Sequence, residues 1–235
     1  MSDVGTVDRR TLLSRVFVFA GLGESELDLL AERTVRKRLA AREELFHKGD
    51  QGHEAYAVLS GSLKASATSE EGREITFSIM KEGEVIGEIA MLYGGRRTAT
   101  VTALTPVELL VIRRRDLLEV MRRQPEMAVA VMAAVAERLA HVSEVMEDTL
   151  FRNLPNRLAR TLLVLADEYG MEEGGALRID LKLSQTELGN LVGATREAVN
   201  KQMRAFEQSG WVKTEAGVVR LLERAPLESL TDPAG

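Results

Sequence analysis

Apolar residues along this chain change their spacing several times, and each change marks a different kind of structure. Between about residues 43 and 113, short apolar runs at 56–59, 75–79 and 107–112 alternate with glycine turns: Lys48-Gly49-Asp50, Ser60-Gly61-Ser62, Glu70-Glu71-Gly72 and Glu82-Gly83-Glu84. Short strands with regular turn signals predict an antiparallel β-barrel or jelly roll. Upstream, residues 11–19 and 24–33 read as short helices that cap the barrel, with Ser25 able to cap the second. Residues 1 to about 10 read as a mobile tail. Residues 114–123 read as a further helix. Pro125 suits the first turn of the next one, which runs to about Leu150 without glycine or internal proline. Along it Val131, Val135, Leu139, Val142 and Met146 recur at steps of four, four, three and four, close to the 3.5 repeat of a coiled coil. At ~1.5 Å per residue this helix spans roughly 39 Å. Such a length favours a two-fold seam between copies of the chain, with an ordinary amphipathic helix on the barrel as the alternative.

The pattern changes again after Phe151. Residues 151–155, FRNLP, break the helix and read as a hinge. Residues 156–169 are amphipathic at helical spacing, 170–175 read as a loop and 176–181 as an exposed strand. Ser184-Gln185-Thr186-Glu187 is a capping box opening a short helix that ends near Leu191 and Val192. Gly193 supplies a tight turn, and Thr195 caps a second helix reaching about Gln208. Two helices joined by a short glycine turn predict a helix-turn-helix. Residues 211–214 and 218–222 flank Glu215-Ala216-Gly217 like a two-stranded wing. The tail from Ala225 reads as frayed. In such a motif the second helix sets its N-terminal side chains against base edges in the major groove of double-stranded DNA. Here those are Arg196 and Glu197, with Lys201 a turn later. Arg and Lys donate to guanine and Glu accepts from cytosine. Ser184, Gln185 and Thr195 are placed to touch phosphates. A helical hairpin that only packs is the competing reading.

Residues 85–101, VIGEIAMLYGGRRTATV, carry the other concentration of chemistry. Glu88 follows Gly87, and Arg96, Arg97 and Thr98 follow a few residues later, with apolar residues filling the gaps. Burying charge is costly unless it is paired or meets a ligand. Arg offers a planar fork of donors that matches phosphate oxygens, Glu accepts from ribose hydroxyls, and glycine lets backbone approach a ligand. A short helix from Glu88 to Leu92 would add N–H groups favourable to an anion. A sugar phosphate satisfies all of these groups; a buried Glu88–Arg97 ion pair inside the barrel is the alternative.

Composition narrows the choices. The chain of 235 residues fits one large domain or two modest ones, with 45% hydrophobic residues, 29% charged residues and a net charge of −5. That balance does not advertise nucleic-acid binding, so DNA contact must come from local patterning. From Phe151 onward there are 11 Lys/Arg against 12 Asp/Glu, yet the second helix of the motif is locally basic. With no cysteine, disulfides, thiolate catalysis and cysteine-held metal clusters are excluded, which fits a cytoplasmic protein. Residues 16–22 are too short and too late for a signal peptide or membrane span. A cupin-type metalloenzyme shares the barrel architecture. Of three histidines, however, His47 and His53 stand six apart where ligands on one strand face stand two apart, and His141 is far away. No metal and no enzymatic activity are expected.

The pattern G-E-[IL]-A-[LM] followed by R-[TSA]-A-[TS]-V, here Gly87–Met91 and Arg97–Val101, resembles the phosphate-binding cassette of cyclic-nucleotide-binding domains. Residues 192–201, V-G-A-T-R-E-A-V-N-K, resemble the recognition element of the bacterial cyclic-AMP receptor protein / fumarate-nitrate regulator (CRP/FNR) family. The likeness runs from about Phe17 to Leu222. It implies an α+β chain: an N-terminal antiparallel β-roll, or jelly roll, binding a cyclic nucleotide (residues 1–124), a long dimerisation helix and hinge (125–152), and a C-terminal winged helix-turn-helix (153–235). It implies that Gly87 and Glu88 meet the ribose and phosphate, that Arg97 holds the cyclic phosphate and that Thr98 adds a hydroxyl. Ile86, Ile89 and Ala90 fall in the same site, and Val142 and Ser143 face the base. The effector would be cAMP or cGMP. The implied partners are a second copy of the chain, a palindromic TGTGA-like operator and RNA polymerase, with no membrane. Two departures stand out. Lys201 replaces an arginine, and Val142-Ser143 replaces a threonine–serine pair that reaches adenine in the best-known member. The absence of cysteine argues against the oxygen-sensing branch. A family member answering another ligand or none, and a regulatory module of an enzyme, are the alternatives.

Overall fold

A computed structural model describes residues 4–231, with side-chain environments from Arg9 onward. The chain forms two compact units: Met1–Ala67 with Phe77–Val142, and Thr68–Thr76 with Ser143–Gly235.

The first unit opens with helix α1 (Val4–Leu13), a 3-10 turn at Phe17–Phe19 and helix α2 (Glu24–Arg33). The segment expected as a mobile tail is therefore helical from Val4, and the helix expected over 11–19 ends at Leu13. Polar residues in the first ten positions suggested a tail, but two of them are bonded inward. Arg9 donates to the Thr34 carbonyl at 3.2 Å, and Arg10 pairs with Asp28 at 3.5 Å. Gly23, rather than Ser25, is the N-cap of α2; the Ser25 hydroxyl donates to Glu26.

Eight strands follow: β1 (Val35–Leu39), β2 (Glu44–Phe46), β3 (Glu54–Ser60), β4 (Leu63–Thr68), β5 (Glu74–Met80), β6 (Val85–Ile86), β7 (Thr100–Ala103) and β8 (Val107–Arg113). They form two four-stranded sheets, in the orders β1-β8-β3-β6 and β2-β7-β4-β5. Side chains alternate across a strand, so β3 and β8 feed two cores at once. Tyr56, Val58, Leu109 and Val111 point into the barrel. Ala55, Ala57, Leu110 and Ile112 point outward. There they meet Leu13, Phe19 and Leu30, and also Leu117 and Val120 of helix α4 (Arg114–Arg123). Burial on both faces explains why residues 109–112, LLVI, read as a continuous apolar run instead of alternating. A short helix, α3 (Glu88–Tyr93), leaves β6 through Gly87, whose φ of 80° is left-handed. Helix α5 (Pro125–Phe151) begins on this unit, with Met127 and Val131 buried in the outer core.

The second unit contains α6 (Leu154–Tyr169), β9 (Gly170–Glu173), β10 (Ala176–Ile179), α7 (Gln185–Val192), α8 (Arg196–Gln208), β11 (Val212–Glu215), β12 (Val218–Leu221) and α9 (Ala225–Thr231). The wing is larger than expected. Residues 170–175, read as a loop, supply β9, and the sheet order is β11-β12-β10-β9. The strand read as exposed ends on Ile179, which is 2% exposed, with Leu181 buried just beyond it. Of the tail read as frayed, residues 225–231 form α9, and residues 232–235 lie outside the described residues. Leu227 of α9 is fully buried, and Arg224 at its start donates to both oxygens of Asp167 on α6, at 2.6 and 3.1 Å. The β11–β12 turn has positive φ at Ala216 and Gly217, the handedness that matches a hairpin's twist. Among the described residues, no helix is long and apolar enough to cross a membrane.

Candidate functional site

The cassette residues come together on one side of the barrel. Antiparallel pairing of β6 with β3 sets Ile86 opposite Tyr56 and delivers Gly87 and Glu88 to the barrel rim. After α3 the chain turns back through Gly94 and Gly95. Two backbone bonds of 2.8 Å then pin Arg97: its N–H donates to Asp50 O, and its carbonyl accepts from Gly49 N–H. Of the consecutive arginines, Arg96 is exposed and donates to the Gly49 carbonyl at 2.8 Å. Arg97 turns inward and is only 5% exposed. Its Nη1 donates to the Gly87 carbonyl at 2.8 Å. A Cβ on Gly87 would run into that same nitrogen, so glycine is required there for space as well as for its positive φ.

Arg97 forms no ion pair among the described residues, and its Nε has no hydrogen-bond partner. Its guanidinium carbon lies 4.1 Å from the centroid of the Phe46 ring and 5.6 Å from that of Tyr56. Burial pulls the Arg97 pKa down, while Tyr56, Glu54 and Glu88 nearby act to raise it. Glu88, also 5% exposed, is bonded by Arg138 of α5 and not by Arg97: Nη1 of Arg138 donates to Glu88 Oε1 at 2.5 Å and Nη2 to the Val85 carbonyl at 3.1 Å. The second Glu88 oxygen, Oε2, has no partner. The simple Glu88–Arg97 ion pair is thus replaced by a carboxylate held from one side and a guanidinium left for something else.

The structure brings Ile86, Gly87, Glu88, Ile89, Ala90 and Arg97 together, with Ile86 and Ala90 buried and Ile89 half-buried. Thr98 is exposed, as are Val142 and Ser143 on α5. Sequence reasoning missed Arg138, although it is the sole Lys or Arg in the 27 residues of α5. It also missed Phe46 and Tyr56, whose aromatic character carries no signal until the strands are in register.

The residues expected on a seam along α5 divide. Leu139, Val142 and Met146 are exposed, but Val131 is 4% exposed in the subunit's own core, and Val135 is half-buried. The helix carries two apolar faces that a simple spacing rule merges. The outward face runs through Val129, Met132, Ala136, Leu139, Ser143, Met146 and Leu150, at steps alternating three and four.

In the second unit, the Ser184 hydroxyl accepts from Glu187 N–H at 3.2 Å, and the Glu187 carboxylate accepts from Ser184 N–H at 2.6 Å, completing the capping box. Gln185 is half-buried, its Oε1 without a partner. Gly193, with φ of 63°, ends α7, and Arg157 donates to the last α7 carbonyl, Val192 O, at 2.9 Å. Gly189 lets α7 and α8 approach, because a Cβ there would lie 2.7 Å from the Ala194 carbonyl. Thr195 caps α8, its hydroxyl accepting from Ala198 N–H at 3.2 Å. Val199, Met203 and Phe206 anchor one face of α8 in the core. Arg196, Glu197, Lys201 and Arg204 are exposed on the other, in no ion pair among the described residues. No group of three or more His, Asp or Glu side chains among the described residues could hold a metal ion.

These two arrangements match known domain types. Residues 36–124 match the cyclic nucleotide-binding domain, and residues 156–230 match the Crp-like helix-turn-helix domain. Together they define a DNA-binding transcription regulator that carries a cyclic-nucleotide-binding domain. The chain is 32% identical over 204 residues to a CRP-like cAMP-activated global transcriptional regulator of Mycobacterium tuberculosis, covering 87% of this chain and 91% of that one. It is also 32% identical over 214 residues to the cyclic AMP receptor protein of Thermus thermophilus, covering 91% and 95%. Its fold is similar to that of a CRP/FNR-family transcriptional regulator from Thermus thermophilus, with a TM-score of 0.73 at 27% identity over 86% of this chain and all of the other. The chain belongs to the CRP/FNR family of transcription regulators, whose members control transcription and are not enzymes.

Proposed function

We propose that this protein is a cytoplasmic homodimeric transcription regulator whose DNA binding is gated by a cyclic nucleotide. The observation that carries the effector is Arg97: a guanidinium 5% exposed, in no ion pair among the described residues, with Nε unpartnered beside a left-handed glycine. A buried charge of this kind is stable when an anion meets it. Gly87 and Glu88 would take the ribose, Arg97 the cyclic phosphate, with Ile86, Ile89 and Ala90 lining the site. Arg138 orients Glu88. The names of the Mycobacterium and Thermus relatives point to cAMP.

The base is read elsewhere. Arg97, Glu88 and Gly87 meet only sugar and phosphate, so choice falls to Thr98, Val142 and Ser143. Val142 has no hydroxyl for adenine, and Ser143 can donate or accept and suits either base. One neutral hydrogen bond contributes ~0.5–1.5 kcal/mol, so cAMP and cGMP should bind within roughly tenfold of each other.

On the DNA side, Arg196, Glu197 and Lys201 would read bases while Ser184, Gln185 and Thr195 meet phosphates. A dimer through the outward face of α5 would bind a palindrome of TGTGA-like half-sites about one helical turn apart, with RNA polymerase as the further partner. Calorimetry of the purified protein against cAMP, cGMP and cyclic di-GMP, followed by gel shifts on a palindromic operator with and without the nucleotide that binds, tests the reading. DNA affinity should rise roughly 5- to 150-fold with effector. Equal DNA affinity with and without saturating nucleotide would make it a constitutive binder. A global nitrogen regulator of Synechococcus elongatus is also a relative, 28% identical, and a family member that answers another ligand or none is the second reading.

A further inference from the structure

We propose that Phe46 is a positioning residue for the effector phosphate, its ring holding the Arg97 guanidinium where other arginine sites use a carboxylate. This rests on the reading of Arg97 as the phosphate anchor.

Phe46 closes β2, and the pairing of β2 with β7 shifts register between Glu44 and Phe46. Such an irregularity re-aims a side chain relative to a regular strand. Here it stands Phe46 6.0 Å from Tyr56, ring to ring, with the planes tilted by 31°. The Arg97 guanidinium lies over this pair, 4.1 Å from the Phe46 centroid. Burial first, then Glu54, pushes the Tyr56 phenol pKa up against the lowering effect of Arg97, and its hydroxyl donates to Glu54 at 3.2 Å.

The choice of partner matters because of where a guanidinium keeps its donors. The five N–H groups lie in its plane and point outward along the edge, whereas a ring attracts the cation through the face. A carboxylate holding Arg97 would occupy the edge, and an incoming phosphate would have to displace it. A ring leaves the edge alone. The edge of Arg97 spends Nη1 on the Gly87 carbonyl and keeps Nε without a partner. The arginine is therefore fixed on two sides, by the ring below and the carbonyl beside, before any anion arrives. That is pre-organisation: the ligand need not freeze a mobile side chain.

The experiment is calorimetric titration of the full-length protein with cAMP and with cGMP. It compares the wild type, Phe46→Leu, Phe46→Tyr and proteins carrying mono-, di- and trifluorophenylalanine at position 46. Fluorination keeps ring shape and drains negative charge from its face. Phe46→Leu should bind roughly 2- to 30-fold more weakly, the range of a cation–π contact. Affinity should fall stepwise with each fluorine, and Phe46→Tyr should stay close to wild type. A flat fluorine series beside a weak Phe46→Leu would reduce Phe46 to packing and overturn the proposal; the fluorinated proteins keep this test open even where Phe46→Leu fails to fold. Wild-type affinity in Phe46→Leu would overturn it while leaving Arg97 as the anchor. A wild type that binds neither nucleotide would overturn the nucleotide reading and this proposal together.

Discussion

Replacing Arg97 with methionine separates an arginine that binds a ligand from one that holds a fold. Methionine keeps most of the length and apolar volume and removes the charge. On the stability side, two losses oppose one gain. The Gly87 carbonyl loses the donor at 2.8 Å, and the Phe46 ring loses its cation. These cost about 1–3 kcal/mol and ~0.5–2 kcal/mol. Against them, a guanidinium that is 5% exposed and in no ion pair is no longer buried. Desolvating an ion costs several kcal/mol, so removing it offsets the losses. The net change in stability should stay within about 2 kcal/mol of zero, in contrast to the ~3–5 kcal/mol lost when one partner of a buried ion pair is removed. On the binding side nothing offsets the loss. Two hydrogen bonds to a charged group contribute ~1.5–3 kcal/mol each, so affinity for the cyclic nucleotide should fall by at least roughly a hundredfold. Urea unfolding and calorimetry on the same preparations read the two quantities. A variant that loses several kcal/mol of stability but binds nucleotide with wild-type affinity would refute the reasoning and make Arg97 a structural cation.

The two apolar faces of α5 should respond differently. If the proposed dimer forms through the outward face, Leu139→Glu, at a residue 68% exposed, should give a monomer in sedimentation, whereas Val131→Ala, at 4% exposure, should cost about 1–2 kcal/mol in stability and leave the oligomeric state of the wild type unchanged. Arg196→Ala should weaken operator binding by ~1–3 kcal/mol and relax the preference at one G·C position, read by selection from randomised sites. Arg224 depresses the pKa of Asp167 through a hydrogen bond, below its ordinary 3.8. A depressed carboxylate adds stability above its unfolded pKa and loses it as pH falls through the folded one. The stability gap between wild type and Asp167→Asn should therefore be full at neutral pH and close below about pH 3.8, followed by acid unfolding.

What could be read from the chain follows from how local each signal is. The helix-turn-helix was legible because Ser184, Glu187, Gly193 and Thr195 act within a few residues of themselves, and all four take the expected capping or turn role. Gly87, Glu88 and Arg97 were legible as a cassette because apolar residues isolate them. Arg138 and Phe46 were not, since each acts across a long stretch of chain: Arg138 on Glu88, 50 residues away, and Phe46 on Arg97 at the far end of a β-sheet pairing. Val131 was misread because periodicity reports that a helix face is apolar but not what covers it. Residues 225–231 were read as frayed, yet Leu227 is fully buried and Arg224 is held by Asp167 and Glu228.

Net charge misleads about DNA in this protein because many acids of the second unit are already paired. Arg152 and Arg160 pair with Asp148, and Arg160 also with Glu144. Arg178 pairs with Asp180 and Glu173, Arg220 with Glu173 and Glu215, Lys213 with Glu215, and Arg224 with Asp167 and Glu228. Arg157 spends its donors on backbone carbonyls. Among the described residues from Phe151 onward, and apart from Arg157, the cations left outside ion pairs are Lys182 and the exposed Arg196, Lys201 and Arg204 of α8. Exposed pairs contribute little to stability. Their consequence is instead electrostatic: each carboxylate cancels the nearest guanidinium at short range. With a screening length of about 8 Å at physiological salt, a phosphate backbone responds to the cations it touches and not to the sum over the chain. A region that balances to nearly zero can thus present one positive helix, the one proposed above to meet DNA.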